Sequence, residues 1–365
     1  MKPNAAPLLG VRVINFSRMA PGPFAARLLA DLGADVVMIE TAQPPSRDPD
    51  SFLANRARES GVHPLYRGVT SVCVDMKQAD GMQRARQLAL EADVLLESFR
   101  PGVMSRLGLG YESLSSDAPQ MIYASLTGYG QDGDLASVRG HDLDFLAESG
   151  LLSVLGRKNG VHEVPLNIVA DYAAGGLYGA YSILVALISR RQTQRGCYLD
   201  LSIVDNLRHL MAPAEAWLAT SQADGDGKFF TGHCPFYNTY QAGDGKWLTI
   251  TAVEPQSFSA MIDATGLEQH RGNREAEDTW PAMHGDLARW VRQGSRDEAV
   301  RQLRDADVPV GTVRSLAEGI RDQRAHSKTT AFPHPGYFRS ETDALPRYTP
   351  KPGSNRPTSD ITDES

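Results

Sequence analysis

Two segments of the chain place proton-transfer residues at the predicted starts of apolar helices. In "RGHDLDFLAESG" (139–150) His141 and Asp142 follow a glycine, and in "PLNIVADYAAGG" (165–176) Asp171 stands among apolar residues. Histidine and aspartate act as general acids and bases in many enzymes. Helix N-termini also present free N–H groups and a positive dipole end, which suit a developing oxyanion. The pair therefore indicates proton transfer at carbon.

The same residues also have a purely structural interpretation. Asp142 can be a helix N-cap with His141 beside it, and Asp171 can cap the second helix. Two observations favour a functional role. Both helices are too apolar for surface helices, and the "TGYG" turn at 127–130 lies where doubly wound sheets place their ligands.

Glu254 is a third ionisable candidate. In "TAVEPQSF" it ends a predicted strand just before Pro255, where it can cap a helix or partner a cation. The sequence contains no HExxH, GxSxG or P-loop pattern. The first strand–helix turn, "SRMAPGPF", is not GxGxxG, and its two prolines lack N–H donors for a pyrophosphate. We therefore expect no nicotinamide or flavin cofactor.

Strand and helix patterns alternate through the first two hundred residues. A strand at 10–16, a helix at 21–33 and a strand at 34–40 form a βαβ unit, which implies a parallel, doubly wound sheet. Further strands are predicted at 70–76, 92–99, 120–130 and 197–205, and apolar helices at 142–155 and 171–191. The apolar run 172–189 predicts a helix that is buried on all sides and falls short of a membrane span.

The pattern changes beyond residue 217, which indicates a second domain. We predict a large α/β domain at 1–200, a linker at 201–230 and a small α+β domain at 231–315. The small domain begins with a predicted hairpin at 236–252, built around an Asp-Gly turn. Helices are predicted in it at about 255–265, 281–293 and 295–306. The tail, about 325–365, is expected to pack back on the large domain.

Composition restricts the possible partners. The chain has 365 residues, 41% of them hydrophobic, and a net charge of −7, which argues against nucleic acid as a partner. Its three cysteines are far apart and outside any CxxC spacing, which favours neither a metal site nor a disulfide. The first residues lack a signal-peptide pattern. We expect a cytoplasmic protein that binds neither nucleic acid nor membranes.

Taken together, these segments resemble the family III CoA-transferases, and within them the alpha-methylacyl-CoA racemase branch. The resemblance is carried by both acid–base segments and by "LLGVRVINFSRMAPGPFAARLLADLGADVVMIE", "VDMKQADG", "SFRPGVMSRLGLGYESL", "SLTGYGQDGDLASVRG" and "YQAGDGKWLTITAVEPQSF". It implies a large Rossmann-like doubly wound domain, a small α+β domain and an interlocked homodimer. The implied substrate is an acyl-CoA thioester, with no metal and no separate cofactor.

The resemblance also implies a role for each candidate. His141 matches the histidine of a GHD motif, Asp171 matches the aspartate of "LNxVxDxxGG", and these are the two acid/base groups. Glu254 matches the glutamate that pairs with the histidine, and in the interlocked dimer it would act on the partner's His141. The implied reaction is racemisation of 2-methyl-branched acyl-CoA thioesters, as in fatty acid metabolism, through an enolate held by the backbone N–H of Asp142.

Residues that contact CoA are implied in the same way. Arg106 and Lys77 match family contacts, and we also expect Arg100 and Tyr237 to contribute. The chain departs from the family where "ETAQPP" and "YRGVTS" lack two basic positions, and the sequence at 48–64 is longer than expected. Details of the adenosine-phosphate site therefore stay open.

Two alternative functions stay open. In the family's transferases, the aspartate at the Asp171 position is a nucleophile that forms an acyl anhydride, and the histidine is usually absent. A CoA-transferase acting between carboxylic acids is therefore the second hypothesis. A non-catalytic CoA-binding or scaffold protein is the third, but it would have little reason to keep His141, Asp171 and Glu254 together.

Overall fold

The computed structural model describes residues 6–40, 64–155, 157–158, 161–162, 164–214, 232–319 and 321. As far as these residues are described, they form two compact units, Met1–Ser153 with Val164–Met211 and Val154–Glu163 with Ala212–Gly336. Residues 48–63 of the longer segment at 48–64, most of the predicted linker and the whole tail at 325–365 lie outside the described residues. The predicted domain limits stay predictions.

The elements as far as residue 210 alternate between strands and helices. In chain order they are β1 (Arg12–Asn15), α1 (Pro21–Asp31), β2 (Asp35–Glu40), a 3-10 turn (Pro64–Tyr66), β3 (Val69–Cys73), α2 (Ala79–Leu90), β4 (Val94–Glu97), α3 (Val103–Arg106), α4 (Tyr111–Leu114), β5 (Ile122–Thr127), α5 (Asp142–Ser149), α6 (Leu151–Val154), β6 (Arg157–Lys158), β7 (Val161–His162), a π-helix (Ile168–Leu177), α7 (Tyr178–Thr193), β8 (Cys197–Ser202) and α8 (Ile203–Leu210).

A six-stranded parallel sheet forms the centre of the first unit. Its strand order is β3-β2-β1-β4-β5-β8, and every neighbouring pair is parallel. Strands β2 and β4 are almost continuously apolar because parallel strands are covered on both faces. The predicted parallel α/β architecture is confirmed, and the order reverses between β1 and β4 as in doubly wound folds.

Both helices that carry the acid–base candidates differ from the sequence prediction. The predicted helix 142–155 ends at Ser149 because Gly150 adopts a left-handed conformation, and α6 follows as a separate turn. The predicted helix 171–191 begins earlier, at Ile168, as a ten-residue π-helix that continues into α7. Asp171 therefore lies inside the first helical turn and is not the N-cap, which is Asn167.

The prediction that the long apolar helix is buried on all sides is wrong. Its exposed apolar residues recur along one face, with Leu177 53%, Tyr181 59%, Val185 47% and Ile188 61% exposed. The opposite face packs in the core through Ile183 and Leu187. The helical run Ile168–Thr193 has 26 residues, so by length and composition it does reach the dimensions of a membrane span, a test that core helices also pass.

Residues 203–210, at the start of the predicted linker, form α8. The Ser202 hydroxyl accepts a hydrogen bond from Asp205 N at 3.1 Å and so caps this helix. Ile203 and Leu207 are buried in the core of the first unit. Their spacing puts them on one face, which explains why a short segment is helical here.

The second unit has a small antiparallel sheet with helices. Its elements are β9 (Tyr237–Gln241), β10 (Trp247–Thr251), α9 (Pro255–Thr265), 3-10 turns (Glu268–His270 and Glu277–Thr279), α10 (Trp280–Val291), α11 (Arg296–Asp305) and β11 (Val310–Thr312). The sheet order is β11-β10-β9, with both pairs antiparallel. The predicted hairpin is confirmed, and Gly245 at its turn has a φ of 78°.

Candidate active site

A cavity of about 290 Å³ opens where β4 and β5 end, at the carboxyl edge of the parallel sheet. The segment after β4 supplies one wall through Phe99 and Arg100, and Tyr129 follows β5. His141 and Asp171 both line this cavity. The structure thus brings together the two groups that the sequence marked for proton transfer.

His141 is the N-cap residue of α5. Its backbone N–H donates to Asp144 Oδ2 at 2.9 Å, so the helix start is fastened by its own third residue. The imidazole is exposed, whereas Asp142 beside it is buried. The sequence had suggested Asp142 as the N-cap, and the structure shifts this role by one residue.

Gly140, just before His141, has no room for a side chain. A methyl group there would lie 2.5 Å from Tyr129 Oη and 2.7 Å from Phe145 Cε1. The Tyr129 and Phe145 rings pack edge to face at 5.2 Å. The glycine of the GHD segment therefore lets the backbone approach this aromatic pair, which orients the turn that presents His141.

Asp171 is partly buried, and burial raises the pKa of its carboxyl. Three neighbours modify this pKa. A hydrogen bond of 3.1 Å from the Asn167 side-chain amide lowers it, the charge of Asp142 raises it, and His141 lowers it. A raised carboxyl pKa is the direction required for a group that must both take and return a proton near neutral pH.

Asp142 is 8% exposed and is not among the residues that line the cavity. Its Oδ2 accepts hydrogen bonds from the backbone N–H groups of Ala170 at 3.1 Å and Asp171 at 2.8 Å. Burial raises the pKa of Asp142, and these two hydrogen bonds lower it. The carboxylate thus links the start of α5 to the first turn of the π-helix.

The glycine pair after Asp171 allows the π-helix to pack closely on α1. A methyl group at Gly175 would lie 2.8 Å from Pro21 Cβ, and one at Gly176 would lie 2.6 Å from Phe24 Cδ1. Phe24 also meets Tyr172 edge to face at 5.0 Å. The "DYAAGG" segment therefore combines the acid/base candidate with the packing surface that holds it.

Two groups beside the cavity were not marked by the sequence reasoning. Glu97, at the end of β4, is buried, accepts hydrogen bonds from Ser125 Oγ and, at 2.7 Å, from Phe99 N, and has a pKa raised by burial. Burial also raises the pKa of the Tyr129 hydroxyl, helped by nearby acidic side chains. Their positions at the end of β4 and just after the end of β5 were the available signal.

The predicted CoA contacts lie at different places in the fold. Arg100 lines the cavity, whereas Lys77, before α2, and Arg106, at the end of α3, are exposed residues outside its lining. Tyr237, the first residue of β9, belongs to the second unit. Their contacts with CoA stay predictions.

Glu254 also belongs to the second unit. It is exposed and is the N-cap residue of α9, with Pro255 in the first turn, but its side chain makes no capping hydrogen bond. Its predicted pairing with a histidine stays a prediction. In the part of the chain that the structure describes, no group of three or more His, Cys, Asp and Glu side chains could hold a metal ion.

The chain is similar to known proteins along most of its length. The model of CoA-transferase family III matches residues 8–351. The chain is similar to the alpha-methylacyl-CoA racemase of Mus musculus, 34% identical over 93% of this chain and 88% of that protein. It is also similar to the succinyl-CoA–L-malate CoA-transferase alpha subunit of Chloroflexus aurantiacus, 30% identical over 87% and 76%. A CaiB/BaiF family protein of Brucella suis has a similar structure, with a TM-score of 0.74 and 26% identity over 88% of this chain and 87% of that one.

Proposed function

Because the chain belongs to CoA-transferase family III, we propose that it is an enzyme that racemises 2-methyl-branched acyl-CoA thioesters. The observation that carries this proposal is the presence of His141 and Asp171 in one cavity. Similarity to a protein named alpha-methylacyl-CoA racemase across nearly the whole chain supports it.

The chemistry requires two proton-transfer groups on opposite sides of one carbon. One group removes the hydrogen alpha to the thioester, and the electron pair moves onto the thioester oxygen as an enolate. The other group then returns a proton to the opposite face, so the carbon is inverted and no atom is gained or lost. General acid–base groups of this kind typically contribute about 10²–10⁴-fold in rate. His141 and Asp171 would exchange the roles of base and acid between the two directions.

The thioester oxygen and the CoA moiety need separate contacts. In this proposal, the backbone N–H of Asp142, at the start of α5, binds the enolate oxygen, because helix N-termini stabilise developing negative charge. Arg100, Arg106, Lys77 and Tyr237 hold the CoA moiety. The CoA thioester is the substrate, and no metal or redox cofactor is proposed.

The proposal includes a homodimer. The helical run Ile168–Thr193 has an exposed apolar face, formed by Leu177 at the end of the π-helix and by Tyr181, Val185 and Ile188 in α7. A face of this kind is one that subunit interfaces cover, which supports an association of two copies. In the interlocked arrangement, the second unit of one subunit closes over the first unit of the other. Glu254 would then orient the partner's His141. We also propose that the enzyme is cytoplasmic and binds neither nucleic acid nor membranes.

A CoA-transferase is the second candidate, because a carboxylate in the cavity could also attack an acyl-CoA. Asp171 would then carry the acyl group as an anhydride while CoA moves to a second acid. Similarity to a succinyl-CoA–L-malate CoA-transferase subunit favours keeping this candidate.

One experiment separates the two functions. The purified protein is incubated with one enantiomer of a 2-methylacyl-CoA in deuterated water, with and without an acceptor acid, and the product is analysed by mass spectrometry and chiral chromatography. A racemase incorporates deuterium at the alpha carbon and inverts it without an acceptor. Transfer of CoA to the acceptor without any exchange would contradict the proposal.

A further inference from the structure

The structure joins the two acid/base candidates through one side chain. Asp142 directly follows His141, and its Oδ2 accepts the backbone N–H groups of Ala170 and Asp171 at 3.1 and 2.8 Å. We infer that the Asp142 carboxylate is a positioning residue, which sets where Asp171 stands relative to His141. This inference rests on the proposed racemase function and assigns the side chain a role separate from its backbone N–H.

The two bonded N–H groups belong to the first turn of the π-helix. The first N–H groups of a helix have no partner within the helix, so they must be satisfied from outside. The N-cap Asn167 provides no side-chain capping hydrogen bond. The Asp142 carboxylate of α5 accepts these N–H groups instead, and its negative charge is favourable beside a helix N-terminus.

The hydrogen bonds of the Asp142 carboxylate are well placed to control the position of Asp171 relative to His141. Asp142 is 8% exposed, and buried groups move less freely than exposed ones. The start of α5 is fastened separately, because His141 N donates to Asp144 Oδ2 at 2.9 Å. Loss of the Asp142 carboxylate should therefore release Asp171 while His141 keeps its place.

Charge adds to this mechanical role. Among the groups that act on the Asp171 carboxyl, Asp142 raises its pKa, and Asn167 and His141 lower it. Asp142 therefore favours the protonated form of Asp171, the form that donates a proton to an enolate. Both effects predict that substitution of Asp142 weakens the steps that use Asp171 more than those that use His141.

The unequal effect on the Asp171 and His141 steps can be measured. A general loss of stability would weaken both steps equally and would not reproduce it. In deuterated water, the enantiomer whose alpha hydrogen faces His141 can lose it to the imidazole and regain a deuteron on the same face. This exchange with retention needs only His141, whereas inversion needs both groups. The ratio of exchange to inversion therefore reports on Asp171 alone.

The test compares wild type with Asp142→Ala, using both enantiomers of a 2-methylacyl-CoA. We expect inversion to fall about 10²-fold, the size of effect that a misplacement of about 1 Å can have. Exchange with retention from one enantiomer should stay within about threefold, because His141 keeps its position and remains the only group that this exchange needs. Equal loss of exchange and inversion, or full retention of inversion, would overturn the inference.

Two further variants keep the test decisive. Asp31→Ala is the control for burial, because Asp31, the last residue of α1, is 7% exposed. Its carboxylate pairs with Arg27 and Arg67. Asp31→Ala should lower stability without changing the ratio. Asp142→Asn keeps an oxygen acceptor but loses the charge, so the ratio should rise less than in Asp142→Ala. If Asp142→Ala does not fold, an unchanged ratio in Asp142→Asn rejects the inference. If wild type itself shows no exchange, the racemase proposal fails instead.

Discussion

The side-chain amide of Asn167 donates a 3.1 Å hydrogen bond to Asp171 Oδ2, from the N-cap of the π-helix to a residue one turn inside it. Two residues thus hold Asp171, Asn167 at its carboxylate and Asp142 at its backbone N–H. The amide also lowers the pKa of Asp171 against the effect of burial. Burial and the Asn167 hydrogen bond therefore act in opposite directions on the pKa of Asp171, and a single substitution can change it.

Asn167→Ala should raise the pKa of Asp171, because the variant loses the hydrogen bond that favours the carboxylate. For the enantiomer whose proton is removed by Asp171, kcat/KM should therefore begin to rise at a higher pH in the variant than in wild type. The pH profile of kcat/KM is measured for each enantiomer. Asn206→Ala is the matched control, since the Asn206 side-chain amide donates to the π-helix at Ala174 O, at 2.9 Å, three residues beyond Asp171. Identical profiles for wild type and Asn167→Ala would refute the assignment.

Asp171→Asn should make the protein more stable at neutral pH while it removes inversion. Burial raises the pKa of Asp171 in the folded protein, so its ionised form opposes folding above that pKa and has no effect well below the unfolded value. The difference in Tm between variant and wild type should therefore increase from about pH 3 to about pH 8.

The control for this stability test is Asp205→Asn. Asp205 is an exposed carboxylate that pairs with Arg208 on α8, and its replacement should give no gain in Tm as pH rises. A variant Asp171→Asn that is less stable than wild type throughout this range would show that the carboxylate makes a stabilising contact.

His141→Ala and Asp171→Ala should each reduce inversion by about 10²–10⁴-fold, because each removes one of the two proton-transfer groups. Glu254→Gln should reduce it less, since the amide leaves the imidazole in place and removes only a charge. Rates of inversion are measured by chiral chromatography. A nearly active His141→Ala variant together with an inactive Asp171→Ala variant would favour the transferase.

The transferase hypothesis also makes a covalent prediction. If Asp171 carries the acyl group as an anhydride, hydroxylamine added during turnover should modify its carboxyl, and peptide mass spectrometry would find the modification. We expect an unmodified Asp171 peptide. A modified one would transfer the assignment from racemisation to CoA transfer.

Val185→Glu should weaken self-association, because it puts a charge in the centre of the exposed apolar face of α7. Analytical ultracentrifugation should show dimers for wild type and a shift towards monomers for the variant. Gln83→Glu, at an exposed polar position on α2, away from that face, is the control and should stay dimeric. A wild-type protein that is monomeric and fully active at high dilution would contradict the proposed dimer.

Much of the fold could be predicted from the sequence because local patterns determine it. The strands of the parallel sheet are short apolar runs, and the helix at 21–31 carries Pro at its start. An acid/base group near the cavity could also be anticipated at His141, since it follows β5, which ends at the carboxyl edge of the sheet. These features depend on residues close together in the chain.

Other features depend on distant contacts and could not be predicted. Nothing local distinguishes the π-helical turn around Asp171 from an α-helix, because its geometry depends on packing against α1 and on the Asp142 carboxylate. The exposed side of α7 was missed for a similar reason. A strongly apolar helix looks the same in sequence whether its second face meets its own core or another subunit.

The close packing of Gly175 and Gly176 on Pro21 and Phe24 has a consequence for how the active protein is made. The helix that bears Asp171 docks on α1, which leaves the ribosome long before it. Contacts between such distant segments form slowly, because the intervening chain must first be ordered. A nascent chain can therefore build its first βαβ unit early, yet it gains the acid/base pair only when this late docking step is complete.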